Sequence, residues 1–263
     1  MFNPNTLWGK IYRRISRQGL ASFLFDMSSF INYPRRGFPR YGIDRFMERI
    51  SHEVDQGSLL LDAGAGHQPY KTLFEHTAYE SCDYRPVLEE INGAIDIPQT
   101  FYCDLEKIPR PDNTYNVIIC NQVLEHVKKP EKVVCEFFRI LKPGGRLFLT
   151  TPQCSGIHMP PHNYFNFTSF GLKYLFEQAG FQIVFIEALG GSFWLLGKVM
   201  QKSYDSIMGQ IRSPFKQLFF PLHVLIRLLF VMVSVVLFHL DKLDKEKGWT
   251  LNYGCCCVKP VVQ

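Results

Sequence analysis

The sequence lacks the cysteine and histidine patterns that hold structural metals or build disulfide frameworks. Its 8 cysteines include no CxxC pair and no Cys/His ligand spacing, so zinc is not expected. Five of them stand singly in apolar runs, and Cys255–Cys257 are consecutive in a strand-like segment. We therefore predict free cysteines inside a core, as in a reducing compartment, and no bound metal.

A signal-peptide pattern, internal repeats and low-complexity linkers are also absent. The N-terminal basic residues are followed by Asp26 within an apolar stretch, and no small-residue cleavage site follows. The 263 residues are 46% apolar and 20% charged, with a mean hydropathy of -0.04. This balance excludes a disordered chain and a polytopic transporter, and the length favours one elaborated α/β domain.

Two segments depart strongly from these averages. Residues 1–40 carry seven Lys or Arg against one acid, a local charge of +6, which exceeds the +5 of the whole chain. Leu218–Leu240 is a run of 23 residues with no acid and a single formal charge, Arg227. The positive charge is therefore a local property, and the apolar run needs a lipid or protein partner to cover it.

From about residue 57, short apolar runs alternate with helical patterns. This alternation is typical of βαβ units and a parallel sheet. Strands are predicted at Ser58–Ala63, Tyr79–Asp83, Ile95–Cys103, Tyr115–Cys120, Arg146–Thr151, Phe181–Ala188 and Leu251–Lys259, and helices at Pro130–Leu141 and Thr168–Ala179.

The first predicted strand ends in the motif LLLDAGAG, residues 59–66. Glycines at 64 and 66 let the backbone turn tightly and let a ligand approach without meeting a Cβ. Three positions after Gly66 stands Pro69, so the dinucleotide fingerprint is incomplete and a pyrophosphate site is disfavoured. Asp83 ends the second strand 21 residues after Asp62, where a carboxylate can accept both ribose hydroxyls.

The next two strands also end in polar residues. Asp104 ends the third strand, and Asn121 and Gln122 end the fourth. This series of strand ends resembles the class I S-adenosylmethionine-dependent methyltransferases, especially the group with an LDxGxG first motif. The segments NQVLEHV (121–127) and LKPGG (141–145) are similar to later motifs of that group.

The resemblance covers roughly residues 57–188 and the last strand. It implies an α/β fold that is Rossmann-like and doubly wound, with a mostly parallel seven-stranded sheet and an antiparallel last strand. To this the chain adds an apolar helical insertion. Within the group, the chain looks like the methyltransferases of bacterial surface-polysaccharide pathways.

The resemblance also implies the cofactor, S-adenosyl-L-methionine, and the residues that hold it. Asp62, Gly64 and Gly66 would face its methionine part, Asp83 its ribose, Asp104 and Leu105 its adenine, and Asn121 and Gln122 its sulfonium side. A sulfonium cation favours carboxylates and carbonyls over the phosphate-binding amides of a nucleotide site, which agrees with these residue types.

Methyl transfer needs an in-line nucleophile and often a base. His126, after the fourth strand, is one candidate base, and its alternative role is to position the loop; His158 and, less directly, His67 are others. The loop GIHMPPHNYFNFT (156–168) follows the fifth strand, and we hypothesise that its His162 and Tyr164 contact the acceptor. Similar enzymes often carry Glu-Pro-Tyr here, so the identity of the base stays open.

The strands Phe181–Ala188 and Leu251–Lys259 are separated by 62 residues, 189–250. Both strands belong to one sheet, so the chain must return on the same side of any membrane, which excludes a single crossing. A re-entrant hairpin, an interfacial helix and an apolar cap over the active site remain open. Leu7–Ile31 can form a basic amphipathic helix that binds anionic headgroups or covers the cofactor.

The predicted segments are a basic amphipathic N-terminal helical segment (1–56), a methyltransferase core (57–188), a helical apolar insertion (189–250) and the last core strand (251–263). We predict a methyltransferase that is cytoplasmic, peripheral or monotopic at the membrane, and acts on a small-molecule, glycan or lipid-linked acceptor. A sugar hydroxyl or a lipid-linked glycan is preferred. A quinone- or lipid-directed methyltransferase and a catalytically silent membrane-bound scaffold are the alternatives. Nucleic acid is disfavoured because no binding module occurs.

Overall fold

A computed structural model describes residues 38–86, 98–210 and 220–261. The strands form a seven-stranded sheet in the order β3-β2-β1-β4-β5-β7-β6. They are β1 (Leu59–Ala63), β2 (Ala78–Asp83), β3 (Phe101–Tyr102), β4 (Tyr115–Asn121), β5 (Leu141–Pro152), β6 (Gln182–Leu189) and β7 (Asn252–Val258). The longer helices are α1 (Phe38–Ser51), α2 (Pro130–Ile140), α3 (Ser169–Gln178), α4 (Ser192–Gln210) and α5 (Phe220–Leu240).

The predicted fold class is confirmed. Strands β3, β2, β1, β4 and β5 pair in parallel, whereas β7 pairs antiparallel with both β5 and β6. The reversal of strand order at β1 and β4 creates a crevice at the carboxyl ends of the strands, where open α/β sheets bind their ligands.

The central strands are apolar throughout because both faces of the sheet are covered. Alternate residues of a strand point to opposite faces, and the consecutive cysteines of β7 follow this rule. Cys255 and Cys257 pack with α2 and α3, whereas Cys256 packs with α1 on the other face. All three thiols are free and buried, as the sequence predicts.

Helix α1 contributes Ile43, Phe46, Met47 and Ile50 to the hydrophobic core on the face of the sheet that holds Cys256. Phe46 lies directly over Gly254 of β7, where an added Cβ would stand 2.7 Å from its ring. Glycine at this strand position therefore permits the close approach of α1 to the sheet.

Two strands begin more than one residue away from the predicted position, and the other bounds agree to within one residue. β5 begins at Leu141 rather than Arg146, because Leu141 already pairs with Tyr115 across a register shift in β4. Helix α2 consequently ends at Ile140. The third strand, predicted at Ile95–Cys103, has only Phe101–Tyr102 within the described part; residues 87–97 and the predicted helix Leu7–Ile31 lie outside it.

The chain divides into two compact units. The larger one holds the sheet and comprises residues 43–189 and 249–261 of the described chain, whereas 38–42, 190–210 and 220–248 belong to the other. The domain bounds drawn from the sequence stay a prediction.

The smaller unit is built on the pair α4 and α5, which pack against each other. Ser234 of α5 is buried against Gly197 of α4, and Trp194 meets Phe238 edge to face with ring centroids 5.0 Å apart.

Asp241 and Asp244, which follow α5, bind the backbone at the start of α4. The amides of Gly191 and Trp194 donate to Asp241 at 2.9 and 3.0 Å, and the amide of Ser192 donates to Asp244 at 2.7 Å. These bonds satisfy the free amides at a helix N-terminus with negative charge, the favourable sign for the helix dipole.

Within the described ranges, no helix combines the length and the apolarity that a membrane crossing requires.

Candidate active site

The turn after β1 is the first element of the site. Gly64 has φ +77° and Gly66 has φ +51°, both in the left-handed region that favours glycine. The amides of Gly64 and Ala65 donate to the carbonyl of Cys82 at 2.9 and 3.1 Å, which holds the turn against the end of β2. The two glycines differ in their surroundings: a Cβ on Gly64 would lie 2.4 Å from Val123, whereas a Cβ on Gly66 meets no atom of the described residues within 4 Å.

Asp62, at the end of β1, is a buried carboxylate. Its Oδ2 accepts a hydrogen bond of 2.6 Å from the Tyr79 hydroxyl. Burial raises the pKa of Asp62 to about 7; the Tyr79 hydrogen bond lowers it in part, and the nearby Asp83 raises it further. A carboxylate that is buried without a cation favours a positively charged ligand group beside it.

Asp83 ends β2 and fastens the glycine turn. Its Oδ2 accepts from the Gly66 amide at 2.7 Å, and its Oδ1 accepts from the Tyr84 amide at 2.7 Å. Burial raises its pKa, while these two hydrogen bonds act in the opposite direction. The residue predicted to hold the ribose therefore lies against the backbone of Gly66.

The third strand leads into a tight turn at Asp104 and Leu105. Asp104 is exposed, and its Oδ1 accepts from the Glu106 amide at 2.9 Å. The Leu105 side chain is buried in the core beneath the sheet. The structure thus places the Asp104 carboxylate at the surface and the Leu105 side chain in the protein interior. The adenine contact predicted for both residues stays a prediction.

Asn121 and Gln122 lie at the end of β4, where both contact Thr150 of β5. The Thr150 hydroxyl donates to Oδ1 of Asn121, and the Gln122 amide donates to the Thr150 carbonyl at 2.9 Å. Gln122 has φ +57°, which is unusual for a residue other than glycine and is frequent at ligand sites.

Glu125 follows in a short helical turn, Leu124–His126, and is fully buried. Its Oε2 accepts from the Thr151 hydroxyl at 3.3 Å, but its Oε1 has no hydrogen-bond partner among the described residues. Burial raises the pKa of Glu125 to about 7. A buried polar atom without a partner costs about 1–3 kcal/mol, so Oε1 marks a place where a ligand would stabilise the protein.

Two imidazoles face this orphan oxygen. Nε2 of His126 lies 3.7 Å from Oε1 of Glu125, and Nε2 of His158 lies 3.9 Å from it. The two rings meet edge to face with centroids 4.8 Å apart. Burial lowers the pKa of His126, partly offset by its bond to the His162 carbonyl.

The loop after β5 folds back onto this group. The amides of Tyr164 and Phe165 donate to the Glu125 carbonyl at 2.8 and 3.3 Å, and Nδ1 of His126 bonds the His162 carbonyl. The structure therefore brings His126, His162 and Tyr164, the three predicted catalytic residues, into one neighbourhood. Their roles remain predictions.

Sequence reasoning missed Glu125 as a functional residue and gave Tyr79 no role. Glu125 stands in the NQVLEHV motif between Leu124 and His126, and an acid next to a candidate histidine was the available signal. No local pattern marks Tyr79, because its bond to Asp62 spans two strands.

The sequence matches one described family over this fold and site. Residues 35–185, more than half of the chain, match the family described as "Methyltransferase domain". The chain belongs to this family and is a class I, S-adenosyl-L-methionine-dependent methyltransferase.

Particular relatives share the same part of the chain. The ubiquinone/menaquinone biosynthesis C-methyltransferase UbiE of Pasteurella multocida is 28% identical over 149 residues, which cover 50% of this chain and 54% of the relative. UbiE of Salmonella newport is 29% identical over 126 residues, 41% of this chain and 49% of the relative. The chain thus spans about half the length of the curated relatives it matches.

Solved structures share the fold at low sequence identity. Phosphoethanolamine N-methyltransferase 2 of Haemonchus contortus, in complex with S-adenosyl-L-methionine, has a TM-score of 0.52 at 13% identity and covers 94% of this chain and 59% of its own. The [4+2]-cyclase SpnF has a TM-score of 0.53 at 19% identity, covering 83% and 82%. The fold alone therefore does not define the reaction.

The residues at the strand ends fit the cofactor chemically. S-adenosyl-L-methionine carries a sulfonium, an ammonium and two ribose hydroxyls, all of which are cations or donors. The strand ends supply acceptors in Asp62, Asp83 and Asp104, and the open space above Gly66 lets a ligand reach the backbone. The acceptor atoms at the strand ends are therefore chemically complementary to these groups of the cofactor.

Proposed function

We propose that the protein methylates a hydroxyl of an amphipathic acceptor, a sugar or a lipid-linked glycan, at a membrane surface. The observation that carries the proposal is the group Glu125, His126 and His158, which gathers a buried carboxylate and two imidazoles at the carboxyl ends of β4 and β5. A hydroxyl must lose its proton when it takes a methyl group, and this group offers the basic atoms for that step.

The residues around the glycine turn hold the cofactor in this proposal. Asp62 faces its positive charge, Asp83 accepts from the ribose, and Gly66 lets the ligand approach the backbone. When bound, S-adenosyl-L-methionine supplies a methyl group on a positively charged sulfur, which keeps the electron pair of the broken C–S bond. Asn121 and Gln122 lie at the same edge of the sheet and orient the acceptor oxygen for in-line attack.

Transfer of a labelled methyl group tests the proposal. Membranes that contain the acceptor are incubated with the protein and a labelled methyl donor, and lipid, glycan, quinone and protein fractions are then separated. Label in the glycan or lipid-linked glycan fraction is the expected result, and an Asp62→Asn variant serves as the control. Label in protein alone would contradict the proposal.

Quinone methylation is a second candidate, because both UbiE relatives carry that activity in their names. Their alignment covers 54% and 49% of the two relatives. The quinone fraction of the same experiment separates the two candidates: label there would favour a C-methyltransferase over a glycan enzyme.

Replacing His162 by alanine should slow methyl transfer and leave cofactor affinity unchanged. The side chain lies in the loop that contacts Glu125, whereas the cofactor residues follow β1 and β2. Loss of an acceptor contact predicts a fall in kcat/KM of about 10-fold or more. Cofactor affinity is measured by calorimetry, with His52→Ala, at an exposed position just after α1, as the matched variant. An equal loss of transfer and cofactor affinity in His162→Ala would contradict an acceptor role.

One face of α5 supports the membrane part of the proposal. Leu222, Leu225, Leu229, Met232 and Val236 follow each other at alternate spacings of three and four residues, and each is 51–66% exposed. This spacing places them on one side of the helix. A bilayer surface would cover such an apolar stripe, and the basic residues of the chain would favour anionic headgroups.

Polar substitutions in this stripe should weaken binding to vesicles. We expect the triple variant Leu225→Ser, Leu229→Ser, Met232→Ser to bind vesicles with an anionic lipid fraction at least about 10-fold more weakly, because each side chain loses apolar burial in the bilayer. Flotation measures the bound fraction. A matched triple at exposed positions of the larger unit, Phe170→Ser, Tyr174→Ser and Val184→Ser, should float like the wild type.

Two outcomes would contradict membrane attachment. One is equal flotation of the wild type and the α5 variant. The other is a dimer of the wild type in solution that the α5 variant disrupts, which would show that a second copy covers the stripe.

A further inference from the structure

Glu125, His126 and His158 each offer one ligand atom, and these three atoms lie within 4.8 Å of one another. Nε2 of His126 and Nε2 of His158 lie 3.7 and 3.9 Å from Oε1 of Glu125. We propose that these three atoms bind a divalent transition-metal ion. The site deepens the proposed function, since it names how the acceptor hydroxyl is activated. It departs from the expectation of no metal, which rested on cysteine spacing alone.

The hydrogen bonds of the His126 and His158 rings leave Nε2 of each ring available to a metal ion. Nδ1 of His126 bonds the His162 carbonyl, and Nδ1 of His158 lies 3.1 Å from the Gly156 carbonyl. A carbonyl oxygen only accepts, so each Nδ1 donates its hydrogen, and in the neutral ring each Nε2 keeps its lone pair. Metal-binding histidines are held in this way, by a second bond from the nitrogen that does not bind the ion.

Glu125 supplies the independent observation. Its side chain is fully buried, and within the part of the chain that the structure describes its Oε1 has no hydrogen-bond partner, although Oε2 is bonded to Thr151. A carboxylate oxygen buried beside two imidazole lone pairs would be a costly arrangement in the absence of a cation. A bound ion would satisfy all three atoms at once.

The ligand set indicates the class of metal. Two histidines and one carboxylate, with further positions open, form the ligand sets of catalytic zinc and of non-haem iron sites. Zn–N and Zn–O bonds of about 2.0–2.2 Å place neighbouring tetrahedral ligands about 3.4 Å apart. The observed separations of 3.7 and 3.9 Å are slightly longer, and His158 can close them because its side chain is 36% exposed and stands in a loop.

A cation at this point would polarise an acceptor oxygen and lower its pKa. His126 would then act as a ligand rather than as the base that the sequence suggested. The proton of the acceptor would leave to solvent, and the metal site would set which hydroxyls react.

Metal titration of the full chain tests the site without any acceptor. The protein is freed of metal by a chelator and titrated with Zn²⁺ in a calorimeter, and Co²⁺ is used in parallel for visible absorption. We expect one equivalent bound by the wild type, and affinity at least about 100-fold weaker in His158→Ala and in Glu125→Gln. His52→Ala, at an exposed position just after α1, should bind like the wild type.

Three results would overturn the proposal. They are no binding of Zn²⁺ or Co²⁺ by the wild type, unchanged affinity in both ligand variants, and a Co²⁺ spectrum with thiolate charge-transfer bands, which would assign the ion to cysteines. Because Glu125 is buried, calorimetric binding of S-adenosyl-L-methionine by each variant checks that it is folded, and the half-exposed His158 offers the variant least able to disturb the core. Failure of metal binding leaves the transfer of labelled methyl groups to be tested separately.

Discussion

Replacing Gly64 by alanine should destabilise the larger unit by about 2–5 kcal/mol. At φ +77° a Cβ costs about 1–2 kcal/mol, and overpacking adds about 1–3 kcal/mol because the new methyl group would stand 2.4 Å from a methyl of Val123. Val123 belongs to the segment that leads from β4 to Glu125, so the clash would displace the site as well. Chemical denaturation measures the loss, and cofactor calorimetry measures the displacement.

Gly66→Ala is the matched control within the same turn. It also has a positive φ, +51°, but its Cβ would meet no atom within 4 Å. We expect a loss of stability of about 1 kcal/mol, from backbone strain alone. If the cofactor approaches the backbone here, Gly66→Ala should fold and yet lose cofactor affinity by at least about 10-fold. Equal stability of the two variants would contradict the packing argument, and full cofactor affinity in Gly66→Ala would contradict the placement of the ligand.

The affinity for S-adenosyl-L-methionine should rise with pH up to about 7. The pKa of Asp62 is raised to about 7 by burial, so below that pH the side chain is protonated and cannot face a cation. Affinity should increase close to 10-fold per pH unit between pH 5.5 and 6.5 and level off above pH 7.5. Calorimetry at a series of pH values measures it.

Asp62→Asn separates this effect from the titration of the cofactor's own amino group. The variant should bind weakly, and its affinity should lack the rise between pH 5.5 and 7. A parallel rise in both proteins would exclude Asp62 as its source. Since asparagine keeps the size and the Tyr79 contact of the aspartate, loss of folding is not expected.

Folding stability without the cofactor should change in the opposite direction. The folded state holds a proton on Asp62 up to about pH 7, whereas the unfolded chain releases it near pH 4. The folded state therefore binds more protons between these values, and stability falls as pH rises through that window. The difference amounts to at most about 4 kcal/mol, and Asp62→Asn should remove this part of the pH dependence.

The architecture of the sheet could be predicted because each strand end carries its own local signal. The apolar runs of β1, β4 and β5 and the polar residues that follow them are consecutive in the sequence. The same holds for the cap of α3, where the Thr168 hydroxyl accepts from the Gly171 amide at 3.1 Å.

The missed features depend on packing between distant segments. The Tyr79 hydroxyl reaches Asp62 from a neighbouring strand, and burial is the largest cause of the raised pKa of that carboxylate. Likewise, the orphan oxygen of Glu125 exists only because the loop with His158 folds over it, 33 residues later in the chain. Residue type and spacing carry no information on such burial.

The bonds of Asp241 and Asp244 to the start of α4 also bear on the entropy of the chain. β6 and β7 are neighbours in the sheet, yet 62 residues separate Leu189 from Asn252. Compared with a four-residue turn, a flexible loop of that length would add about 2.4 kcal/mol of closure entropy to the pairing of the two strands. Asp241 and Asp244 hold the two ends of the 62-residue segment together. For the entropy of closure, β6 and β7 are therefore connected as if by a short loop. We therefore expect that changes in the length of the chain between Trp194 and Asp241 have little effect on the folding of the sheet.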